Sequence, residues 1–150
     1  MAHSYIRNCV HIIFSTKFRA PDLNSEIRPT LWKYIAGVIR NKDMEPIAVG
    51  GYEDHCHVLV AIPSTMTVSK AAQAIKANSS KWLSETYPDL KNFEWQEGYS
   101  AFSVSSSAIP RVVEYIKNQE EHHKRKSFKD EYIGFLKLNN IEFDERHVLG

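Results

Sequence analysis

The chain has 150 residues, 43% of them hydrophobic and 25% charged, a composition typical of a single folded domain over residues 1–150. The formal net charge of +1 does not by itself indicate a nucleic-acid partner, and no apolar stretch is long enough to cross a bilayer. Cys9 and Cys56 are too few for a disulfide framework, and the first residues lack the apolar core of a signal peptide. We therefore expect a cytoplasmic location.

Charge is unevenly distributed along the chain. Residues 1–42 contain seven Lys/Arg and two Asp/Glu, whereas residues 43–100 contain four and eight, and residues 111–129 are basic again. A fold could bring the two basic regions onto one face that attracts nucleic acid. Solvated helix faces explain the same pattern, and on charge alone that interpretation is favoured.

The first half of the chain predicts a strand, a helix and a hairpin. Residues 5–16 mix aliphatic, aromatic and Thr residues and predict a strand. After a turn at residues 21–24, apolar residues at helical spacing predict a helix ending near Asn41. Residues 46–50 predict a short strand that Gly50-Gly51 breaks or bends, followed by a strand from His55.

The second half predicts a helix, a strand and two more helices. Apolar spacing from Val68 predicts a helix that ends before Pro88. Residues 98–107 predict the fourth strand, and Ser107 is a candidate N-cap for a helix over residues 109–126. A last helix is predicted over residues 129–139.

The order β-α-β-β-α-β followed by helices predicts an α+β fold of the ferredoxin-like type, an antiparallel sheet with helices on one face and C-terminal helices added. In that topology the first and third strands are central. The third strand begins at His55, so a nearby helix can cover the face to which its histidines point.

His55 and His57 point to the same face of this strand, because side chains alternate along a strand, and Cys56 points to the other. One histidine at a strand end usually just hydrogen-bonds a neighbour, whereas two on one face can hold a metal ion. Both interpretations stay open from the pattern alone. Cys56 is expected to pack as a small hydrophobic residue, and Cys9 lies on another strand.

The helix predicted over residues 109–126 carries a second group of candidates. Tyr115 and Gln119 lie four residues apart at the border of its apolar stripe. A carboxamide at such a border needs hydrogen bonds or a metal ion, whereas Tyr115 by itself is explained by amphipathic packing. His122 and His123 can contact phosphate, contribute to a site or be solvated.

Together these segments resemble the HUH endonuclease superfamily and its single-tyrosine transposases of small insertion sequences. Residues 54–60 are similar to the His-hydrophobic-His motif, and residues 115–123 to the tyrosine helix. The resemblance extends to residues 14–19, 76–81 and 135–146. Asn118-Gln119 favours the insertion-sequence branch over the transposases associated with repetitive extragenic palindromes, and Cys56 departs from the usual larger aliphatic residue.

The resemblance implies a mechanism and residue roles. His55, His57 and Gln119 would be metal ligands, Tyr115 the nucleophile, and the product a 5′-phosphotyrosine. Such neutral ligands suit Mg²⁺ or Mn²⁺ rather than structural zinc. The implied substrate is single-stranded DNA with hairpin ends, and the implied assembly is a homodimer whose tyrosine helix can complete the partner's site.

The sequence also offers candidates for DNA contacts and two alternative functions. Lys17, Arg19, Lys76 and Lys81 are candidates for DNA backbone contacts, although each can equally be a solvated surface residue. A relative recruited by its host to cut chromosomal repeat hairpins is one alternative. A non-catalytic ferredoxin-like nucleic-acid-binding module is another, but it leaves the histidine pair and Gln119 unexplained.

Overall fold

The structure is a computed structural model that describes residues 3–149. Its strands are β1 (Cys9–Ser15), β2 (Glu45–Tyr52), β3 (His55–Ala61) and β4 (Ser100–Ser103). They form one antiparallel sheet in the order β2-β3-β1-β4, so the first and third strands are central, as predicted. The α+β ferredoxin-like prediction is thus confirmed.

Two helices cover one face of this sheet and bury the main core. These are α1 (Ile27–Asn41) and α2 (Val68–Thr86). Alternate residues of the central strands point toward them, including Phe14, Cys56 and Val58, all fully buried in one apolar cluster with the helix residues. Cys56 therefore packs in the core, away from the histidines.

Three shorter helices occupy the opposite face: α3 (Ile109–Lys117), α4 (Gln119–His122) and α5 (Phe128–Leu138). A smaller apolar cluster holds this layer, with Ile13 and Phe102 from the sheet and Phe128, Tyr132 and Leu136 from α5. His55 and His57 lie beneath it and are fully buried. Among the described helices none is long and apolar enough to span a membrane.

The structure corrects two predicted features of the strands. Gly50-Gly51 does not interrupt β2, which continues to Tyr52, and the register shift falls between Pro46 and Ala48 instead. The glycine at position 50 is needed for close approach, since a Cβ there would lie 2.8 Å from the carbonyl oxygen of Ile116 on α3. The fourth strand is shorter than predicted.

The helix predicted over residues 109–126 is also corrected. It divides at Asn118, whose φ of −98° and ψ of 22° depart from helical geometry. Ala108 rather than Ser107 is the residue that precedes α3, and no side chain caps it. The break lets α4 turn Gln119 and the following histidines toward the sheet.

Candidate active site

His55 has one ring nitrogen fixed by its sequence neighbour. Its Nδ1 lies 2.7 Å from Oδ1 of Asp54, a carboxylate that can only accept, so Nδ1 is the donor. Its Nε2 then faces two acceptors, Oε1 of Gln119 at 2.8 Å and Oε1 of Glu131 at 3.6 Å. The lone pairs of this nitrogen and of the two oxygens therefore converge in a buried place. A proton or a cation is required between them. A carboxylate behind a ligating histidine is also the usual support of a metal site.

Gln119 is oriented by the helix that carries it. Its side chain is almost fully buried, and its amide nitrogen donates to the backbone oxygen of Tyr115 and to Glu131 Oε2, both at 3.3 Å. Oε1 therefore points at the imidazoles of His55 and His123, at 2.8 and 3.0 Å. The buried amide thus has hydrogen-bond partners on both of its polar atoms, as a carboxamide at the border of the apolar stripe needs.

Glu131 on α5 is the centre of the cluster, and it is not among the predicted site residues. Only 3% of the residue is exposed. Its Oε1 accepts from Nε2 of His57 at 3.0 Å, while Oε2 lies 3.2 Å from Nε2 of His122 and 3.4 Å from Nε2 of His123. Burial alone would raise the pKa of Glu131, but the contacts with His123 and His57 outweigh it and lower the pKa below the usual range.

The hydroxyl of Tyr115 donates to the same carboxylate. It contacts Glu131 Oε2 and lies 3.3 Å from Nε2 of His122. Burial raises the pKa of Tyr115 above its ordinary value, and the negative charge of Glu131 raises it further. In this arrangement the phenol is held neutral, so it is a weak nucleophile until the electrostatics around it change.

These atoms form a donor set that fits a divalent cation. Ligand atoms of His55, His57 and Glu131 lie within 4.8 Å of one another, and the same holds for His122, His123 and Glu131. Two imidazoles, an amide oxygen and a carboxylate are acceptable to Mn²⁺ and Mg²⁺. The neutral residues predicted as ligands therefore lie beside a negative charge, which attracts a cation.

The predicted DNA-contact residues lie outside this cluster. Lys17 and Arg19 follow β1 and are exposed, and Lys17 pairs with Glu94 at 2.8 Å. Lys81 is exposed on α2. The Lys76 ammonium lies 2.7 to 3.2 Å from the backbone oxygens of residues 96–98, so all three of its donors bind the loop before β4.

Three participants were missed by sequence reasoning: Asp54, His11 and Glu131. His11 lies on β1 and its Nε2 is 2.8 Å from Nδ1 of His57. For Glu131 a signal was present, because it falls on the buried face of α5 with Phe128, Tyr132 and Leu136. A carboxylate within an apolar helical face is seldom buried without a partner.

Comparison with known proteins identifies the family. The family model described as IS200-like transposase matches residues 4–119. The chain belongs to the IS200-like transposase family. The IS200 transposase of Salmonella typhimurium is 30% identical over 129 residues, which cover 83% of this chain and 84% of that protein. The ISDra2 transposase TnpA of Deinococcus radiodurans is 23% identical over 116 residues, which cover 74% and 83%.

Solved structures support the fold of this transposase. A crystal structure of a candidate transposase from Deinococcus radiodurans aligns with a TM-score of 0.65 at 22% identity, covering 79% of this chain and 96% of that one. A REP-associated tyrosine transposase bound to a REP hairpin aligns with a TM-score of 0.60 at 20% identity, covering 82% and 73%. The family match ends at Gln119, so His122, His123 and Glu131 lie beyond it.

Proposed function

We propose that this transposase cleaves and rejoins single-stranded DNA at insertion-sequence ends through a 5′-phosphotyrosine on Tyr115, with Mg²⁺ or Mn²⁺ held by His55, His57 and Gln119. The observation that carries the proposal is the shared carboxylate of Glu131. One of its oxygens accepts from His57, and the other accepts from the Tyr115 hydroxyl. The nucleophile and the ligand atoms are therefore neighbours, as a metal-assisted transesterification requires.

The chain's own residues orient and hold the reacting groups. Tyr115 presents its oxygen to the phosphorus, the Tyr–P bond forms as the bond from phosphorus to the 3′-oxygen breaks, and the departing 3′-oxygen takes up a proton. His122, whose Nε2 lies 3.3 Å from the phenol oxygen, is placed to receive its proton, whereas Glu131 orients the phenol by accepting its hydrogen bond. The phosphotyrosine keeps the energy of the phosphodiester, so rejoining a second DNA end needs no nucleotide cofactor.

A bound divalent cation supplies what these residues lack, by withdrawing charge from the phosphate and stabilising the departing oxygen. The need follows from the raised pKa of Tyr115, which keeps the phenol neutral in the closed cluster. Glu131 is proposed as a further ligand, since its oxygen lies among the two imidazole nitrogens. Asp54 orients His55 and is proposed as a supporting residue.

The proposed substrate is a single strand with a hairpin, and the proposed assembly is a homodimer. The REP-associated relative is bound to a hairpin, which supports a hairpin substrate for this transposase. A non-catalytic binding module accounts for neither the tyrosine nor the buried carboxylate beside it. Lys17, Arg19 and Lys81 remain proposed contacts to the DNA backbone, whereas the Lys76 ammonium is engaged with backbone oxygens.

The experiment incubates the purified protein with a labelled single strand from the element's end and Mn²⁺, and detects a covalent adduct on a denaturing gel. We expect Tyr115→Phe to abolish the adduct while DNA binding persists, and EDTA to abolish it in the wild type. Tyr99→Phe is the matched control, because Tyr99 is a partly exposed tyrosine outside the cluster. An adduct that persists in Tyr115→Phe would show that another residue is the nucleophile.

A further inference from the structure

Phe18 has an aromatic side chain that is exposed to solvent. It is 88% exposed, and its φ of 58° lies in the left-handed region, as does the φ of 57° at Arg19. Residues with a Cβ adopt this region at an energetic cost, and consecutive examples are unusual. Backbone strain of this kind persists where the surrounding structure enforces it, often at binding sites.

Hydrogen bonds on both sides hold the turn over Lys17–Arg19 in this shape. The Thr16 hydroxyl donates to the backbone oxygen of Ala20 at 2.7 Å, and the Arg19 amide donates to the oxygen of Thr16 at 3.0 Å. The Lys17 amide donates to the oxygen of Glu94 at 2.9 Å. These hydrogen bonds fix the backbone of the turn, so the Phe18 ring extends into solvent from a defined backbone position.

The turn lies at the edge of the sheet that carries the histidine pair. Ser15, the last residue of β1, is the partner of His55 in the ladder. The next residue, Thr16, donates its amide to the backbone oxygen of Asp54 at 2.9 Å. Phe18 thus follows only two residues after a direct backbone contact with the candidate active site.

Positive charge predominates on one side of Phe18 and favours the binding of an anionic polymer there. A cleft of about 380 Å³ is lined by Phe18 together with Lys17, Arg19, Arg146 and His147, with Glu97 as its one acidic residue. Some of this charge is paired, since Lys17 binds Glu94 and Arg146 binds Asp144. Arg19 enters none of the ion pairs found among residues 3–149. The second cleft beside Phe18 is lined by three carboxylates, from Asp22, Asp89 and Glu94, against two ammonium groups, from Lys17 and Lys91.

We propose that the Lys17–Arg19 turn is a stacking site for one unpaired base of the DNA strand, with the strand's phosphates on the side of Arg19 and Arg146. The inference rests on the proposed single-stranded DNA substrate and adds a specific base position to it. An exposed aromatic ring offers every base a face to stack on, and neighbouring cations bind the adjoining phosphates. Because stacking tolerates any base, this site contributes affinity and placement rather than sequence preference.

The test measures binding of a fluorescently labelled single strand by anisotropy, without divalent metal, so that no cleavage takes place. We expect Phe18→Ala to weaken binding about 10-fold and Phe18→Trp to retain wild-type affinity, as stacking on an aromatic ring predicts. Leu138→Ala is the matched control, because Leu138 is a large apolar residue 78% exposed at the end of α5. It is expected to leave affinity unchanged.

A series of strands with one abasic position each locates the base. At the position that stacks, the abasic strand should weaken binding of the wild type but not of Phe18→Ala, so that the two proteins bind it equally. Equal affinity of wild type and Phe18→Ala for all strands would overturn the proposal, even if the wild type forms its tyrosine adduct. A change of oligomeric state in Phe18→Ala at constant DNA affinity would also overturn it and assign Phe18 to contacts between copies.

Discussion

His57 is held by buried partners at both ring nitrogens, which fixes its tautomer. Its Nε2 donates to Glu131 at 3.0 Å, so its Nδ1 accepts from Nε2 of His11 at 2.8 Å. Burial lowers the pKa of both His57 and His11. The folded protein therefore favours this pair in the neutral form, with the proton of His11 shared between them.

The pair predicts an acid-sensitive fold in the absence of metal. Because the folded-state pKa of His11 lies below its unfolded value of 6.5, its contribution to stability is present above pH 6.5 and is lost as pH falls through the folded pKa. One such group changes the free energy of unfolding by at most about 1.4 kcal/mol per pH unit. Urea unfolding in EDTA between pH 7.5 and 5 should show a shallower loss for His11→Gln than for the wild type.

The two proteins are compared by the slope of their unfolding free energy against pH. The absolute stability is not compared, because His11→Gln also changes a hydrogen bond and so shifts stability at every pH. His123 works in the opposite direction: its contact with Glu131 overcomes the effect of burial and raises its pKa. Its contribution is present below pH 6.5 and is lost as pH rises, equally in both proteins. Parallel profiles for the wild type and His11→Gln would contradict the role given to His11.

Helix α3 owes its position to a glycine on the neighbouring strand. Gly50 pairs with His57 in the sheet, and a Cβ at Gly50 would lie 2.8 Å from the oxygen and 2.9 Å from Cγ2 of Ile116. Ile116 directly follows Tyr115, so the contact sets how closely the nucleophile approaches the histidine strand. From the local sequence this glycine was predicted to break or bend the strand. Its packing role could not be predicted in that way, because it depends on a helix more than sixty residues later.

Gly50→Ala should displace α3 while leaving the histidines in place. We expect a loss of about 1–3 kcal/mol of stability from overpacking and a fall in adduct formation of up to about 100-fold from misplacement of Tyr115. The measurements are urea unfolding and the rate of adduct formation with Mn²⁺. Gly37→Ala is the matched control, since nothing lies within 4 Å of its Cβ, and it should stabilise α1 by about 0.5–1 kcal/mol. Full activity in Gly50→Ala would mean that α3 acts from another position.

At the scale of the whole molecule, the order of the predicted elements indicated the sheet order, and local periodicity indicated which candidate residues share a face. Neither predicted how the last helices meet the sheet. Strand alternation placed His55 and His57 on one face, and helical spacing placed Gln119 beside Tyr115. Glu131 could not be assigned in this way, because its role depends on α5 folding back over β3. Lys76 shows the same limit. It was predicted as a DNA contact because it is basic, but in the structure its ammonium group binds backbone oxygens of the loop before β4.

The described chain closes its candidate site with its own helices. Tyr115 on α3, Gln119 on α4 and Glu131 on α5 all reach the histidine pair of the same chain. The family resemblance instead allows the tyrosine helix to complete the site of a partner subunit. These arrangements differ in which chain must carry each functional residue.

In the proposed homodimer, mixed dimers distinguish the two arrangements, so adduct formation is measured after His57→Ala is coexpressed with Tyr115→Phe. If each chain closes its own site, as here, every site lacks one residue and no adduct forms. If helices are exchanged, half of the dimers are mixed and each has one intact site, which restores about a quarter of wild-type activity. The reciprocal control coexpresses wild type with the double variant carrying both substitutions. Closure within one chain predicts that its mixed dimers keep one active site, for about half of wild-type activity in total. Exchange predicts that they have none, so that the wild-type dimers alone leave about a quarter. About a quarter of wild-type activity in both mixtures would therefore contradict closure within the chain.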